Sequence, residues 1–256
     1  DGTLLDPGVP VDAVPGTAMT DAVQKLLAND ITVVLASGRM YPGTQRIAQH
    51  LNVRQPLICQ QGASVHEPDG NLRHSFNVDP RIALELFDYA KQNGWPLAWF
   101  DASRYLVTRH CEQAQFFADV SGIDIVIDEN PHRSDIRPTG IDIISTRKAA
   151  SRVHGEIEKR YGERLSILDF PSVTAVHAPA ASKGNALRVL TAELGIASSE
   201  VLAIGDSVND VSMLEWAGMS AAPSHCDHYA RNAAKQVLTE PGVAGVISRL
   251  HEALQT

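Results

Sequence analysis

Val201-Leu202-Ala203-Ile204-Gly205-Asp206-Ser207-Val208-Asn209-Asp210 is a short apolar run that stops at a glycine and then offers two carboxylates and a carboxamide. Such a run reads as a buried strand of an open α/β sheet, a fold that binds ligands beyond the carboxyl ends of its strands. Asp206 would then sit at the mouth of a crevice, and oxygen donors of this kind suit a hard cation held beside an oxyanion. Taken alone, the same segment is also readable as a loop in which Asp206 or Ser207 caps a helix starting near Val208.

Outward from this segment, helix and strand alternate at both ends of the chain. Ala22, Val23, Leu26 and Leu27 make an apolar helix face, and a strand is expected over Ile31 to Ala36. A helix over Thr44 to Leu51 and a strand over Pro56 to Gln60 follow, and alternation of this kind predicts a parallel sheet. After Gly62 the pattern changes: Pro68-Asp69-Gly70 between short strands signals a hairpin. Asp79-Pro80 then caps a helix that Gly94 ends. Strands around Leu97 to Phe100, Tyr105 to Thr108, Ile141 to Ser145, Leu165 to Phe170 and Val173 to His177, backed by helices, predict an α+β unit. From Ser182 the helix-strand alternation resumes, so the α/β core is split in sequence by the insertion.

Three further positions carry chemical meaning. Ser37-Gly38-Arg39 follows the six apolar-rich residues Ile31 to Ala36, so the Ser37 hydroxyl and Gly38 amide are expected to face the crevice as donors to an oxyanion. Lys183 opens a helix, where a cation opposes the macrodipole unless an anion is bound nearby. His225-Cys226-Asp227-His228 contains four potential ligands, but neighbouring residues cannot all converge on one ion, so it is not read as a metal site. Trp95, Trp99 and Phe100 read as core of the inserted unit, with stacking on a sugar as the other use of such aromatics.

The chain of 256 residues is 44% hydrophobic, enough for one large core or two modest ones. Its 22 basic and 30 acidic residues give a net charge of −8, which excludes a phosphodiester backbone as an expected partner. A small anion can be held only where Arg39, Lys183 and a bound cation outweigh that field. Cys59, Cys111 and Cys226 are widely spaced, which suits a reduced, cytoplasmic setting. No stretch approaches the roughly 20 apolar residues of a membrane span, so no membrane partner is expected.

Asp1-Gly2-Thr3-Leu4-Leu5-Asp6 resembles the tail of the signature Asp-x-Asp-Gly-Thr-Leu-Leu of the haloacid dehalogenase (HAD) superfamily of phosphotransferases. Ser37-Gly38-Arg39, Lys183-Gly184 and Asp206 with Asn209-Asp210 follow in the order of that family's other motifs. The long insert between Gly62 and Lys183 is similar to the Cof-type branch, subfamily IIB. The resemblance implies an α/β fold: a Rossmann-like parallel-sheet core formed by residues 1–68 and 180–256, with an inserted α+β cap over residues 69–179. Asp1 corresponds to the second Asp of the signature, so the nucleophile is expected two places before it, on a strand whose loss would leave its two neighbours unpaired. The given sequence is therefore expected to be part of a longer protein.

The resemblance also implies the activity: Mg²⁺-dependent hydrolysis of small phosphate monoesters, such as sugar phosphates or similar metabolites, through an aspartyl phosphate. Asp1 would protonate the leaving oxygen, activate water and lend its backbone carbonyl to the metal, with Asp206 as a metal ligand. Lys183 would neutralise the nucleophile and the transferring group, and with Ser37, Gly38 and Asn209 it would bind the phosphate. Asp210 would hold Lys183 or metal-bound water. Thr3 is expected to stabilise a turn, Arg39 to stand at the lip of the pocket. Gln60-Gln61-Gly62-Ala63 departs from the Thr/Ser-Asn-Gly-Ala of the branch. Two other readings remain at this stage: a phosphomutase of the same superfamily, or a catalytically silent phosphate-binding or regulatory module.

Overall fold

The computed structural model describes residues 2–255, so the roles expected of Asp1 lie outside the described residues. The chain runs α1 (Thr17–Ala28), α2 (Tyr41–His50), β1 (Leu57–Cys59), β2 (Ser64–His66), β3 (Leu72–Ser75), α3 (Pro80–Gln92), β4 (Leu97–Phe100), β5 (Tyr105–Val107) and α4 (Glu112–Ser121). It continues with β6 (Ile125–Ile127), β7 (Gly140–Ile144), α5 (Ala150–Tyr161), β8 (Ser166–Phe170), β9 (Val173–His177), α6 (Lys183–Leu194) and β10 (Leu202–Ile204). It closes with α7 (Val211–Trp216), β11 (Met219–Ala222), α8 (His228–Ala233), β12 (Gln236–Val237) and α9 (Gly242–Ala253).

The helices follow their apolar spacing and caps. Met19, Ala22, Val23 and Leu26 are the buried face of α1, at the one-sided spacing that binds a helix to a core. Asp79 accepts hydrogen bonds from the Arg81 and Ile82 amides and Pro80 opens α3, while Gly195, at φ 70°, ends α6 in the left-handed region.

β10, β11 and β12 form a parallel ladder, whereas β1, β2 and β3 form an antiparallel one. The hairpin around Asp69-Gly70 thus belongs with β1. Ile31 to Ala36 departs from expectation. Among the described residues its ladder is reduced to one parallel bridge, Ala36 to Ile58, supported by bonds from the Ile58 amide to Leu35 O (2.9 Å) and from the Ser37 amide to Ile58 O (2.8 Å). The reason lies on its other side, where Ile31–Ala36 and β10 both line a cavity and, among the described residues, no strand lies between them to complete a ladder.

The second large sheet has the order β6-β5-β4-β7-β9-β8. Alternation divides its residues between two faces. Leu97, Trp99, Ile141, Ile143 and Val176 pack with Ile82 and Leu86 of α3 and Val153, Ile157 and Tyr161 of α5. Trp95 packs against the same cluster. Phe100 belongs to the opposite face, with Ala98, Tyr105 and Ile144, so the three aromatics read together in the sequence are split.

The turn after β1 packs directly against the residues that open α6. Gly62 has φ +94°, and a Cβ there would stand 2.2 Å from Ser182 C and O. Gly184 is equally close-packed: a Cβ would lie 2.2 Å from Ser212 O. Glycine at both positions lets the start of α6 sit against the Gly62 turn on one side and α7 on the other, which carries Lys183 to the end of β10.

Candidate active site

The turn after β10 is organised by Asp210. Its Oδ2 accepts from the amides of Asp206 (2.9 Å) and Ser207 (3.1 Å), and its Oδ1 accepts from Lys183 Nζ at 2.6 Å. Both side chains of that ion pair are about 5% exposed, so each charge depends on the other for its solvation. Gly205 is required here, since a Cβ would stand 2.4 Å from Asp210 Cβ. Lys183 is presented by α6, whose first turn is capped by Ser182 Oγ accepting from the Asn185 amide at 3.1 Å.

Asp206 lines the cavity close beside that pair. Thr3 Oγ1 donates to its Oδ1 at 2.8 Å, a contact with the site where a turn-stabilising role was expected. Its carboxylate packs on Gly2, where a Cβ would lie 2.1 Å from Oδ2. Burial raises the Asp206 pKa, the neighbouring Asp210 charge raises it further, and the Thr3 bond and Lys183 oppose the rise. Two crowded carboxylates with hard oxygen donors are a setting that a divalent cation relieves, and Mg²⁺ needs few protein oxygens because it keeps several waters. Asp206 fits that role. Among the described residues no three His, Cys, Asp or Glu side chains converge as a metal cluster.

The His225–His228 segment buttresses this corner. His225 Nε2 donates to Gly2 O at 2.7 Å. Asp227 caps α8 by accepting from the Ala230 amide, and it also accepts from the Val208 amide at 2.8 Å.

The third wall comes from the loop after Ile31–Ala36. Ser37 Oγ accepts from the Arg39 amide at 3.1 Å, and Ser37 O accepts from the Gln61 amide at 3.2 Å. Gly38 lies under the Gln61 side chain, where a Cβ would stand 2.5 Å from Nε2. Gln61 Oε1 in turn accepts from Asn209 Nδ2 at 2.6 Å. Gln60 faces the other way, with Nε2 donating to Asp101 O (2.6 Å) and Oε1 accepting from Thr139 Oγ1 (2.6 Å). The two glutamines hold left-handed backbones, φ 50° and 60°, and so link the turn on one side to the six-stranded sheet on the other. Arg39 is buried in the cavity wall, at 6% exposure, where the lip was expected.

Ser37, Gly38, Lys183, Asp206, Asn209 and Asp210 all line one cavity, whose ≈ 1350 Å³ includes the slot between Ile31–Ala36 and β10. Two residues that sequence reading passed over, Asp142 and His177, line the same space from the six-stranded sheet. Burial alone pushes the Asp142 carboxyl up to about 7. Burial lowers the His177 imidazole to about 4, against a smaller opposing effect of its bond to Thr139 O. A polar residue at a cavity-facing position of an otherwise apolar strand was the available signal for both.

Comparison with known proteins bears on this geometry. The family model of haloacid dehalogenase-like hydrolases matches residues 1–250. The putative phosphatase YxeH of Bacillus subtilis is 30% identical over 268 residues, covering 98% of this chain and 95% of the relative. A haloacid dehalogenase-like hydrolase from Bacteroides thetaiotaomicron has a similar structure, with TM-score 0.83, 19% identity, and coverage of 98% of this chain and 96% of that one. A sugar phosphatase described as HAD subclass IIB superposes with TM-score 0.80 at 18% identity, covering 98% and 95%.

Proposed function

We propose that this chain, which belongs to the haloacid dehalogenase-like hydrolase family, is a phosphatase that hydrolyses small phosphate monoesters with Mg²⁺. The observation that carries this reading is the convergence of Asp206, the Lys183–Asp210 pair, Ser37 and Asn209 on one cavity.

Each residue has a role consistent with its surroundings. Lys183 is a buried ammonium with one carboxylate partner and two further donors to give, so it neutralises the attacking carboxylate and the transferring phosphoryl group. The Ser37 hydroxyl, the Gly38 amide and the Asn209 amide donate to phosphate oxygens. Asp206, with the backbone carbonyl of Asp1, would hold Mg²⁺, which when bound would neutralise charge between carboxylate and phosphate oxygens. Asp1 acts as acid and then base on the leaving oxygen and the attacking water. An aspartate carboxylate attacks phosphorus as the ester oxygen departs with a proton, and water then cleaves the resulting aspartyl phosphate to release inorganic phosphate. The unit carrying β4 to β9 acts as a cap that closes the cavity and selects the leaving group.

The test is phosphate release by the full-length protein from a panel of small phosphate esters, with and without Mg²⁺. Metal-dependent turnover that an Asp206→Ala variant loses by a hundredfold or more is expected. Equal rates for wild type and variant would refute the assignment.

A further inference from the structure

Asp142 stands on the cavity-facing side of the six-stranded sheet among unusually small neighbours. Ala98 of β4 and Ala175 of β9 lie directly opposite it in the two flanking ladders, and Gly140 precedes it by two positions on the same face of β7. A Cβ on Gly140 would stand 2.3 Å from Phe100 Cζ and 2.8 Å from His177 Cε1. Glycine there lets both rings move in over the sheet, where they meet edge to face at 6.1 Å. The Asp142 carboxylate therefore sits on the floor of a pit, with Phe100, Ile144, Val173 and His177 around it.

That carboxylate is costly where it stands. Asp142 is 7% exposed, and among the described residues neither a hydrogen bond nor an ion pair engages its oxygens. A buried carboxyl with no donor is unfavourable by itself, and in a cleft it marks a place where a ligand supplies the missing partner. His177 is matched to it. Its Nδ1 donates to Thr139 O at 2.9 Å, so the neutral ring keeps Nε2 as an acceptor. His177 is the diagonal neighbour of Asp142 across the β7–β9 ladder, a separation of roughly 7–8 Å on one face. The wall facing the phosphate-binding end thus carries these two acceptors and the rim of Phe100, together with Tyr105, Glu112 and Gln113. It carries neither Lys nor Arg among its cavity-lining residues.

We infer that Asp142 and His177 are the specificity-determining residues, accepting hydrogen bonds from hydroxyl groups on the leaving group and rejecting leaving groups that carry negative charge. The inference rests on the phosphatase reading for its context and deepens it by naming the class of ester. A neutral leaving group with several hydroxyls meets both acceptors and lays its carbon skeleton on Phe100. A carboxylate-bearing one brings a second anion to an acid that already lacks a donor.

The experiment compares full-length wild type with Asp142→Asn and Asp142→Leu on glucose 6-phosphate, p-nitrophenyl phosphate and 2-phosphoglycolate. Relative to p-nitrophenyl phosphate, kcat/KM for glucose 6-phosphate should fall at least tenfold in Asp142→Leu, chiefly through KM. The same ratio for 2-phosphoglycolate should rise in both variants, and Asp142→Asn, with the same shape, guards against misfolding. Parallel losses on all three esters, or unchanged ratios, would overturn the inference while leaving the phosphatase reading intact. If wild type hydrolyses none of the esters, that reading fails separately, and calorimetry then decides the inference: glucose 6-phosphate should bind at least tenfold more tightly than inorganic phosphate, an advantage that Asp142→Leu removes. Equal affinities would refute it.

Discussion

Asn209 Nδ2 donates to Gln61 Oε1 at 2.6 Å, joining the turn after β10 to the turn after β1. The same Gln61 side chain covers Gly38, so one carboxamide orients two of the proposed phosphate donors. Gln61→Ala should lower kcat/KM by about tenfold, because misplacing the Asn209 and Gly38 donors costs about 1.4 kcal/mol of transition-state stabilisation. Gly38→Ala should give a similar kinetic loss, because the added methyl displaces Gln61 from Asn209. Steady-state kinetics of the two variants checks this, and normal kinetics in both would exclude the positioning role.

Lys183 and Asp210 form a buried pair at 2.6 Å. Removing only the cation, in Lys183→Met, should cost about 3–5 kcal/mol of stability because Asp210 is left as an uncompensated charge. Lys183→Met combined with Asp210→Asn should recover part of that loss. Urea unfolding of the two variants measures both, and a double variant no more stable than the single one would contradict the account.

Gly62 combines a left-handed φ of +94° with backbone contact to Ser182. Gly62→Ala should destabilise by at least about 3 kcal/mol, since strain and overlap add. Gly195→Ala is the comparison: its φ is +70° but nothing lies within 4 Å of a new Cβ, so only about 1 kcal/mol is expected. Similar thermal shifts for the two would show that the contact at Ser182 yields freely.

Asp142 and His177 oppose each other in pH dependence. The folded-state carboxyl of Asp142 is raised from 3.8 to about 7, so its contribution is fully present below pH 3.8 and is lost as pH rises through 7. His177 is lowered from 6.5 to about 4, so its contribution is fully present above pH 6.5 and is lost as pH falls through 4. Asp142→Asn should therefore gain stability relative to wild type as pH rises from 4 to 8, by roughly 4 kcal/mol in all, and level off above that. His177→Gln should gain relative to wild type as pH falls from 6.5 to 4. Unfolding free energies at pH 4, 6 and 8 test both slopes, and a pH-independent difference would refute either.

The turn after β10 and the start of α6 were legible in the sequence because both are local. Asp206, Asn209 and Asp210 are fixed by one strand and one turn, and Lys183 by a capped helix start. What escaped is set by register and by backbone states without a residue signature. Gln60 and Gln61 adopt left-handed φ, a conformation no glycine announces. Asp142 and His177 meet only because β7 and β9 pair in one register, which neither strand reveals alone. The same alternation separated Phe100 from Trp99. Ile31–Ala36 has the composition of a strand, but hydrogen bonding requires neighbours, and over most of its length the described residues provide it with none.

The contact between Gly62 and Ser182 sets the turn after β1 against the residue that precedes α6, with Ala63, Ala178 and Ala181 clustered nearby and Phe76 packed on them. A second seam lies where Gly43 of α2 fits against Val120 O and the Met40 amide donates to Ser121 Oγ, so the six-stranded sheet is braced at two separate places and cannot tilt about one of them without disturbing the other.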